Sequence, residues 1–402
     1  MQQAAPSRRD HRVDFLRGFA LASIFINHVP DNFYEHWTHK NFGASDAAEI
    51  FVMLAGFASA YAYYGRYERG ERWDASIKAW RRAGVLYMSH IVTTIAGIAI
   101  FCAAALYFAL PGYLDDSIIF MNTKPLMDDP MRGFLGVSML AHQLGYFNIL
   151  PMYMGLLLMV PLIMLVAKRW GLTVLFWTSL IAWMLVGYFV FDLPNYPGHA
   201  PRDAYDLIFN AGDDGWYFNP FAWQVLFVIG LIIGQRQREN RPLRFNPWLF
   251  ALAAAYVVIC YWWKPLDLAV NALLPYFPKT LLAYDKTYVA VPRLLHVLAL
   301  GYVVMMSPLG RWMWLIPKSN FLTAMGRHSL PVFCAGTLLS MMGAVARHQI
   351  GDSLLSDTII VVTGLAIQGA LARALDGRKP TPPAPRLETV PNPASRPVAD
   401  VI

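Results

Sequence analysis

The stretch VDFLRGFALASIFINHV, residues 13–29, decides the fold because it is apolar enough to span a membrane, yet it carries Arg17 and His28. The two residues are eleven positions apart. On an α-helix that spacing is three turns plus about 20°, with a rise of about 16 Å, so both side chains point to one face. An ionisable group buried in hydrocarbon costs at least about 2.5 kcal/mol and predicts a functional site. This face therefore predicts a groove that crosses much of the bilayer.

The composition of the whole chain is that of a membrane protein. Of its 402 residues, 56% are hydrophobic and only 15% are charged, and the mean hydropathy is +0.39. Stretches near the ~20 residues needed to span hydrocarbon recur along almost the whole length. We predict an all-α, polytopic integral membrane protein with about ten transmembrane helices, over residues 13–33, 46–64, 83–110, 145–167, 171–191, 219–235, 246–263, 288–306, 321–342 and 355–373.

Lysine and arginine in the short loops predict how these helices are oriented. Basic residues cluster before the first span and after the second, fourth, sixth, eighth and tenth spans, all on one side. The opposite loops are rich in aspartate. Under the positive-inside rule, both termini are cytoplasmic. This asymmetry accounts for the net charge of +7, so we expect no nucleic-acid partner.

Other classes of site find no support in the sequence. Arg17 lies inside the first apolar run and no small-residue cleavage site follows it, so we expect this run to be retained as a span. Cys102, Cys260 and Cys334 lie inside apolar runs and predict no disulfide framework. The sequence contains no nucleophile elbow, phosphate loop or zinc signature. We therefore expect no metal site.

His28 lies near the outer end of the first span, and polar residues accompany it. Asn27 precedes it, and Asp31 follows at helical spacing if the helix continues that far. The second span begins at the same surface with Asp46 and Glu49, which share a helix face. A carboxylate bonded to one ring nitrogen would fix the imidazole tautomer and free the other nitrogen as a general base. The alternative is a polar contact that only holds the two helices together.

Arginines mark the cytoplasmic end of the same groove. Arg17 lies about one turn inside the first span, and Arg81 and Arg82 stand at the start of the third. Guanidinium groups bind phosphates in a bidentate manner. Snorkelling would equally explain Arg17, and positive-inside anchoring would explain the pair.

The eighth span carries two further candidates on the outer side. Arg293 and His296 are one helical turn apart in VPRLLHVLAL, level with His28. Arg293 would bind an anion, such as a substrate carboxylate or a developing oxyanion. Alternatively, it would form a buried pair with Asp46 or Glu49.

The longest outer segments, 111–144 and 192–218, combine aspartate, glycine and proline with aromatic residues. Carbohydrate sites often use that mixture, because rings stack on sugars and carboxylates bond their hydroxyls. Tryptophan and tyrosine also anchor helices at headgroup level. The sequence leaves both interpretations open.

Several stretches resemble the OpgC family, membrane proteins that succinylate osmoregulated periplasmic glucans. They are RDHRVDFLRGFALASIFINHVP, NFGASDAAEIFVMLAGF, FNILPMY, FNPFAWQVLFVIG, RLLHVLALGY and GRHSLPVFCAGTLLS. OpgC proteins are similar to the acyltransferase-3 group of ten-helix transmembrane acyltransferases. That group is marked by an arginine, ten residues and a histidine in the first helix, and by a basic cytoplasmic pair at the start of the third. Arg17 with His28, and Arg81 with Arg82, match these features.

The resemblance implies an O-acyltransferase of the bacterial inner membrane that moves an acyl group from cytoplasmic acyl-CoA to hydroxyls of periplasmic glucans. We expect succinyl-CoA as the co-substrate and no permanently bound cofactor. Arg17, Arg81 and Arg82 would bind the donor. His28 would be the general base, oriented by Asp46 or Glu49 as the other catalytic residues.

The remaining candidates are assigned to the substrate. These are Asn27, Asp31, Arg293 and His296, with Arg293 as the partner of a free succinyl carboxylate. The chain divides into a cytoplasmic N-terminus (1–12), a single transmembrane acyltransferase domain (13–375) and a disordered cytoplasmic tail (376–402). The tail is rich in proline and polar residues, which cannot form a packed core.

Two other functions stay open from the sequence. One is an O-acetyltransferase for another envelope polysaccharide. The other is a transporter whose path is lined by Arg17 and His28. The expected partners of the acyltransferase are the lipid bilayer, the glucan acceptor and the acyl-CoA donor. A homodimer is also compatible with the sequence.

Overall fold

The computed structural model describes residues 10–119, 121–189, 193, 216–263 and 286–377. These residues form helices joined by short turns and contain no strand. The α-helices of five or more residues are α1 (His11–His28), α2 (Ala47–Ser59), α3 (Arg72–Phe108), α4 (Lys124–Asp128), α5 (Pro130–Ser138), α6 (Ile149–Phe189), α7 (Pro220–Arg238), α8 (Pro247–Trp263), α9 (Val291–Met306), α10 (Pro308–Leu315), α11 (Phe321–Arg327), α12 (Ser329–Ile350) and α13 (Leu354–Gly377).

Within the described ranges, five helical stretches are long and apolar enough to cross a membrane. They are Ala47–Glu68, Arg72–Phe108, Gly145–Tyr188, Ser329–Ile350 and Leu354–Gly377. The first of these continues α2 through a π-helical turn at Ala60–Tyr64. α9 and α10 make a sixth if the pair, which is bent by 66°, is counted as one span. The all-helical membrane fold is confirmed, whereas the count of ten and the cytoplasmic placement of both termini stay predictions.

The first helix is shorter than the sequence pattern predicts. α1 ends at His28 instead of near residue 33. The Asn32 side chain donates hydrogen bonds to the carbonyl oxygens of Ile26 (2.8 Å) and Val29 (2.6 Å), which satisfies the helix end. Asp31 then adopts a left-handed conformation with φ of +54°. The helix therefore does not continue far enough for Asp31 to share a helical face with His28.

Two other boundaries also differ from the prediction. α3 begins at Arg72, so Arg81 and Arg82 lie more than two turns inside the helix instead of at its start. The ninth predicted span is interrupted at His328, which separates α11 from α12. α13 extends to Gly377, slightly beyond the predicted start of the tail, and residues 378–402 lie outside the described ranges.

The fourth and fifth predicted spans form the single helical run α6, which is broken by one glycine. Gly171 has φ of 89° and ψ of 169°, a conformation that is essentially open only to glycine. Just before the break, Lys168 Nζ donates a hydrogen bond of 2.6 Å to the carbonyl oxygen of Tyr67. The connection between the two spans is therefore a kink and not a loop.

Glycines allow the backbones of neighbouring helices to touch. A Cβ atom added to Gly56 of α2 would lie 1.9 Å from the carbonyl oxygen of Phe227 in α7. A Cβ atom added to Gly230 of α7 would lie 2.0 Å from the carbonyl oxygen of Met53 in α2. Small residues at such crossings are the usual means of close helix packing in membranes. This contact fixes α2, whose first turn carries Asp46 and Glu49.

Gly230→Ala should destabilise the fold, because the new methyl group meets backbone that no side-chain rotation can move. We expect a loss of about 1–3 kcal/mol, measured as a lower Tm of the purified protein in detergent. Gly84→Ala is the matched control, since nothing lies within 4 Å of a Cβ atom there. Equal Tm values for the two variants would contradict the proposed contact.

Candidate active site

The candidate site lies at the end of the bundle where α1 ends and where α2 and α9 begin, called here the His28 end. Two tryptophans fix the segment that precedes α9. Trp223 Nε1 donates to the carbonyl oxygen of Lys286 (3.0 Å), and Trp183 Nε1 donates to that of Tyr288 (2.8 Å). Both indoles are buried in the core. They hold Lys286 beside the first turn of α2.

Asp46 and Glu49 form a capping box at the start of α2. The Asp46 carboxylate accepts a hydrogen bond from the backbone N–H of Ala48 (2.8 Å), and Glu49 Oε2 accepts one from the N–H of Asp46 (2.8 Å). These contacts satisfy the free N–H groups of the first turn. The pair therefore starts the helix in addition to any chemical role.

Arg293 binds both of these carboxylates. Its Nε donates to Glu49 Oε1 at 2.7 Å, and its Nη2 lies 2.6 Å from the same oxygen and 3.2 Å from Asp46 Oδ2. Glu49 is completely buried, with an exposed fraction of 0%. Of the two roles that the sequence allows for Arg293, the buried ion pair is present in the structure.

Lys286 completes a network of four charges and was missed by the sequence analysis. Its Nζ lies 2.5 Å from Asp46 Oδ2 and faces the ring of Phe218, 5.2 Å from the ring centroid. Burial has the largest single effect on the pKa of Lys286 and would lower it, but the combined attraction of Asp46, Tyr217 and Glu49 raises the pKa above its ordinary value. Lys286 therefore stays charged at neutral pH. Nothing in its spacing or in its polar sequence neighbourhood indicated a place in the site.

We name Asp46, Glu49, Lys286 and Arg293 the charge network. It contains two carboxylates and two cations, so its formal charge is zero. Buried ion pairs gain from their mutual attraction only where hydrogen bonds replace lost hydration. The capping box and the Arg293 fork supply such bonds.

His28 stacks on Tyr146 at the edge of the charge network. The ring centroids are 3.9 Å apart and the planes differ by 7°. Within the described residues, His28 makes no hydrogen bond to Asp46 or Glu49, and its Nδ1 is buried without a partner. Lys286 and Asp46 act on it through space only. The predicted carboxylate–imidazole hydrogen bond is absent, because both carboxylates are taken by cations and by backbone N–H groups.

The aromatic platform under His28 comes from a separate part of the chain. Tyr146 lies in the 3₁₀ turn Gly145–Phe147 that precedes α6. The N–H of Gly145 donates to the carbonyl oxygen of Met121 at 2.9 Å, which ties this turn to the preceding loop. The sequence stretch FNILPMY showed aromatic content near this point, but no pattern in it pairs a tyrosine with His28.

Two of the predicted substrate residues make internal contacts. Asn27 Oδ1 accepts a hydrogen bond from the Thr38 hydroxyl at 2.6 Å. His296 Nδ1 lies 2.7 Å from the Ser45 hydroxyl, and it also accepts from the Ser45 N–H at 3.2 Å. Both residues hold the segment between α1 and α2 in place. Asp31, in contrast, is exposed at the turn after α1.

His39 is a second histidine at this end that the sequence analysis did not select. Its ring nitrogens are buried, and it lies beside the backbone of Asp46. Burial lowers the pKa of His39 from its ordinary value, so this histidine is neutral at neutral pH. The positive charges of Lys286 and Arg293 also lower the pKa of His39.

The predicted donor residues lie towards the opposite end of the bundle. Arg17 Nη2 donates to the carbonyl oxygen of Leu54 in α2 at 2.9 Å, which is a tertiary contact beyond simple snorkelling. Arg81 and Arg82 lie on the exposed face of α3.

The sequence was compared with models of known protein families. The model of the family described as OpgC protein matches residues 9–379. The chain belongs to the OpgC family. No curated protein and no solved structure matches it. Membership makes this OpgC-family protein an acyltransferase acting on glucans, and its apolar helices agree with a membrane location.

The charge network gives a prediction for this OpgC-family protein. Arg293→Met leaves the buried Glu49 without its cation and should cost about 3–5 kcal/mol of stability. Adding Glu49→Gln should recover part of that loss, because the uncompensated charge is removed. Thermal unfolding of the two single variants and the double variant measures the coupling.

The matched control for this cycle is Arg132→Met. Arg132 pairs with Asp129 on the surface at 3.3 Å, where an ion pair contributes less than about 1 kcal/mol. Losses that are additive for Arg293 and Glu49 would show that the two side chains do not depend on each other.

Proposed function

We propose that this protein is a membrane-bound O-succinyltransferase of the bacterial inner membrane. It moves the succinyl group of cytoplasmic succinyl-CoA to hydroxyls of periplasmic glucans, and His28 is the general base. The single observation that carries the proposal is the placement of His28, whose ring is held against Tyr146 beside the charge network at the end of the helix that carries Arg17. Family membership supports the reaction class.

The reaction is a direct transfer between thioester and hydroxyl. The hydroxyl oxygen attacks the thioester carbonyl carbon, so a C–O bond forms and the C–S bond breaks. An imidazole nitrogen of His28 takes the hydroxyl proton and returns it to the departing thiolate. All atoms and protons are accounted for without an acyl-enzyme intermediate.

The course of α1 supports transfer across the membrane. The helix is continuous from Arg17 to His28, so the rise of about 16 Å expected from their spacing applies. Arg17 would guide the donor arm into the bundle, and the thioester would meet His28 at the other end. Arg81 and Arg82 would attract the anionic donor to the cytoplasmic surface through long-range electrostatics.

The charge network would supply the electrostatic part of catalysis. Lys286 and Arg293 are fixed cations for the oxyanion that develops on the carbonyl, or for the free carboxylate of the succinyl group. Asp46 and Glu49 hold those cations in place, and Asp46 acts on His28 only through space. We assign Asn27, Asp31 and His296 to the walls that meet the acceptor.

The break in α6 supports the ten-helix topology. As a straight helix, its 41 residues would be about 60 Å long, roughly twice the hydrocarbon thickness. Gly171 divides the run into two parts, each close to the length of one span. If each part is one span, the Lys and Arg clusters would fall on one side and both termini would be cytoplasmic, as the positive-inside rule predicts.

His28→Ala should lower the rate of succinyl transfer by about 10²–10⁴-fold, the usual contribution of a positioned general base. The assay uses the purified protein in vesicles with succinyl-CoA and a glucan. His36→Ala is the matched control, because His36 is exposed in the turn after α1. Full activity of His28→Ala would contradict the role of His28, and glucan flux without thioester cleavage would indicate a transporter. Transfer from acetyl-CoA alone would indicate an O-acetyltransferase.

Tyr146 should act as a positioning residue for His28. Tyr146→Phe keeps the ring under the imidazole and should keep kcat, whereas Tyr146→Leu removes the flat surface and should lower kcat about tenfold or more. The KM for succinyl-CoA should change little in both variants. A loss of the same size in Tyr146→Phe would show that the hydroxyl acts, and not the stacked ring.

A further inference from the structure

A basic cleft lies at the end of the bundle opposite His28, where α1 begins and α13 ends. Its volume is about 480 Å³. It is lined by Lys318, Ser319, Ala324, Arg327, Arg373 and Asp376. No motif or spacing in the sequence indicates a site at these residues. The volume is within the range of ~300–1,000 Å³ that is typical of small-molecule sites.

The cleft carries a net positive charge that its own carboxylate does not cancel. Asp376 pairs with Arg327 through both carboxylate oxygens and accepts a hydrogen bond from His328 Nε2 at 2.8 Å. Arg327 therefore compensates Asp376. Within the described residues, Lys318 Nζ and the Arg373 guanidinium make no hydrogen bond or ion pair, so their two charges remain available for an anion.

The cleft is built on a fixed framework. Arg327 Nη1 donates to the carbonyl oxygen of Lys318 at 2.6 Å, which holds the loop against α11. A Cβ atom on Gly326 would lie 1.8 Å from the carbonyl oxygen of Asp14, so α11 touches the backbone of α1. This contact places the cleft beside the turn of α1 that carries Arg17. Positive-inside anchoring requires basic residues but no such framework.

We propose that this cleft binds the phosphates at the nucleotide end of the acyl-CoA donor. The inference rests on the proposed function, which supplies a polyphosphate nucleotide at this end of the bundle. Lys318 and Arg373 would contact the phosphate oxygens, and Arg327 would form the fixed back wall. Lysine and arginine are the side chains suited to that chemistry. The pantetheine arm would then enter the bundle past Arg17 and run along α1 to His28.

The test measures binding of adenosine 3′,5′-bisphosphate to the purified full chain in detergent by calorimetry. The double variant Lys318→Ala/Arg373→Ala should lower its affinity about tenfold or more, the effect expected on losing charge-assisted hydrogen bonds. Both side chains are exposed, so the fold should survive, and an unchanged Tm checks this. Arg311→Ala is the matched control, because Arg311 is an exposed base of α10 outside the cleft.

Two outcomes would overturn the inference. The first is an unchanged affinity in the double variant, or an equal loss in the Arg311 control. The second concerns anionic lipid, which carries the same phosphate chemistry. If vesicles containing phosphatidylglycerol bind in a cleft-dependent manner while the bisphosphate does not bind, the cleft serves a lipid headgroup.

The inference and the proposed function fail in different ways. If the wild-type protein transfers succinyl groups and the double variant binds the bisphosphate normally, only the cleft assignment is wrong. If the double variant loses affinity while the wild-type protein transfers no acyl group, only the proposed function is wrong. His28→Ala should bind the bisphosphate as tightly as the wild-type protein, because His28 lies at the other end of α1.

Discussion

The ion pair between Arg293 and the completely buried Glu49 is the constraint on which the His28 end depends. An uncompensated carboxylate at that position would be costly in an apolar bundle, so α9 and α2 must stay in contact. Asp46 extends the pair to Lys286, which brings the segment before α9 into the same network. His28, the proposed general base, lies within reach of the charges of Lys286 and Asp46.

Close backbone packing supports this electrostatic arrangement. Gly56 and Gly230 let α2 and α7 touch, and Gly326 lets α11 touch α1. Lipid offers little hydrophobic drive for helix association, so such contacts and interhelical polar pairs carry more of the stability than in a soluble protein. The two ends of α1 are thereby fixed separately. His28 is held by an aromatic surface, and the helix start is held by α11 beside the basic cleft.

The candidate site was only partly predictable from the sequence. The spacing of Arg17 and His28 predicts one helical face, and α1 is indeed helical between them. The sequence pattern predicts Asp46 or Glu49 as the hydrogen-bond partner of His28, whereas in the structure Asp46 acts on His28 only through space and Glu49 pairs with Arg293. Lys286 was not predicted because the segments between spans carry no periodic signal. The spacing of residues in the sequence predicts which of them share a helix, whereas the pairing of charges depends on how the helices pack against one another.

The sequence by itself determined the class of the protein. Apolar segment length and composition are sufficient for a helical membrane protein, because a bilayer leaves few other ways to satisfy the backbone. The family was also readable from motifs around Arg17 and His28. Only the tertiary structure shows that His28 stacks on Tyr146 and makes no hydrogen bond to Asp46 or Glu49. It alone also joined Lys318, Arg327 and Arg373 in one cleft, since such contacts depend on packing between elements distant in the chain.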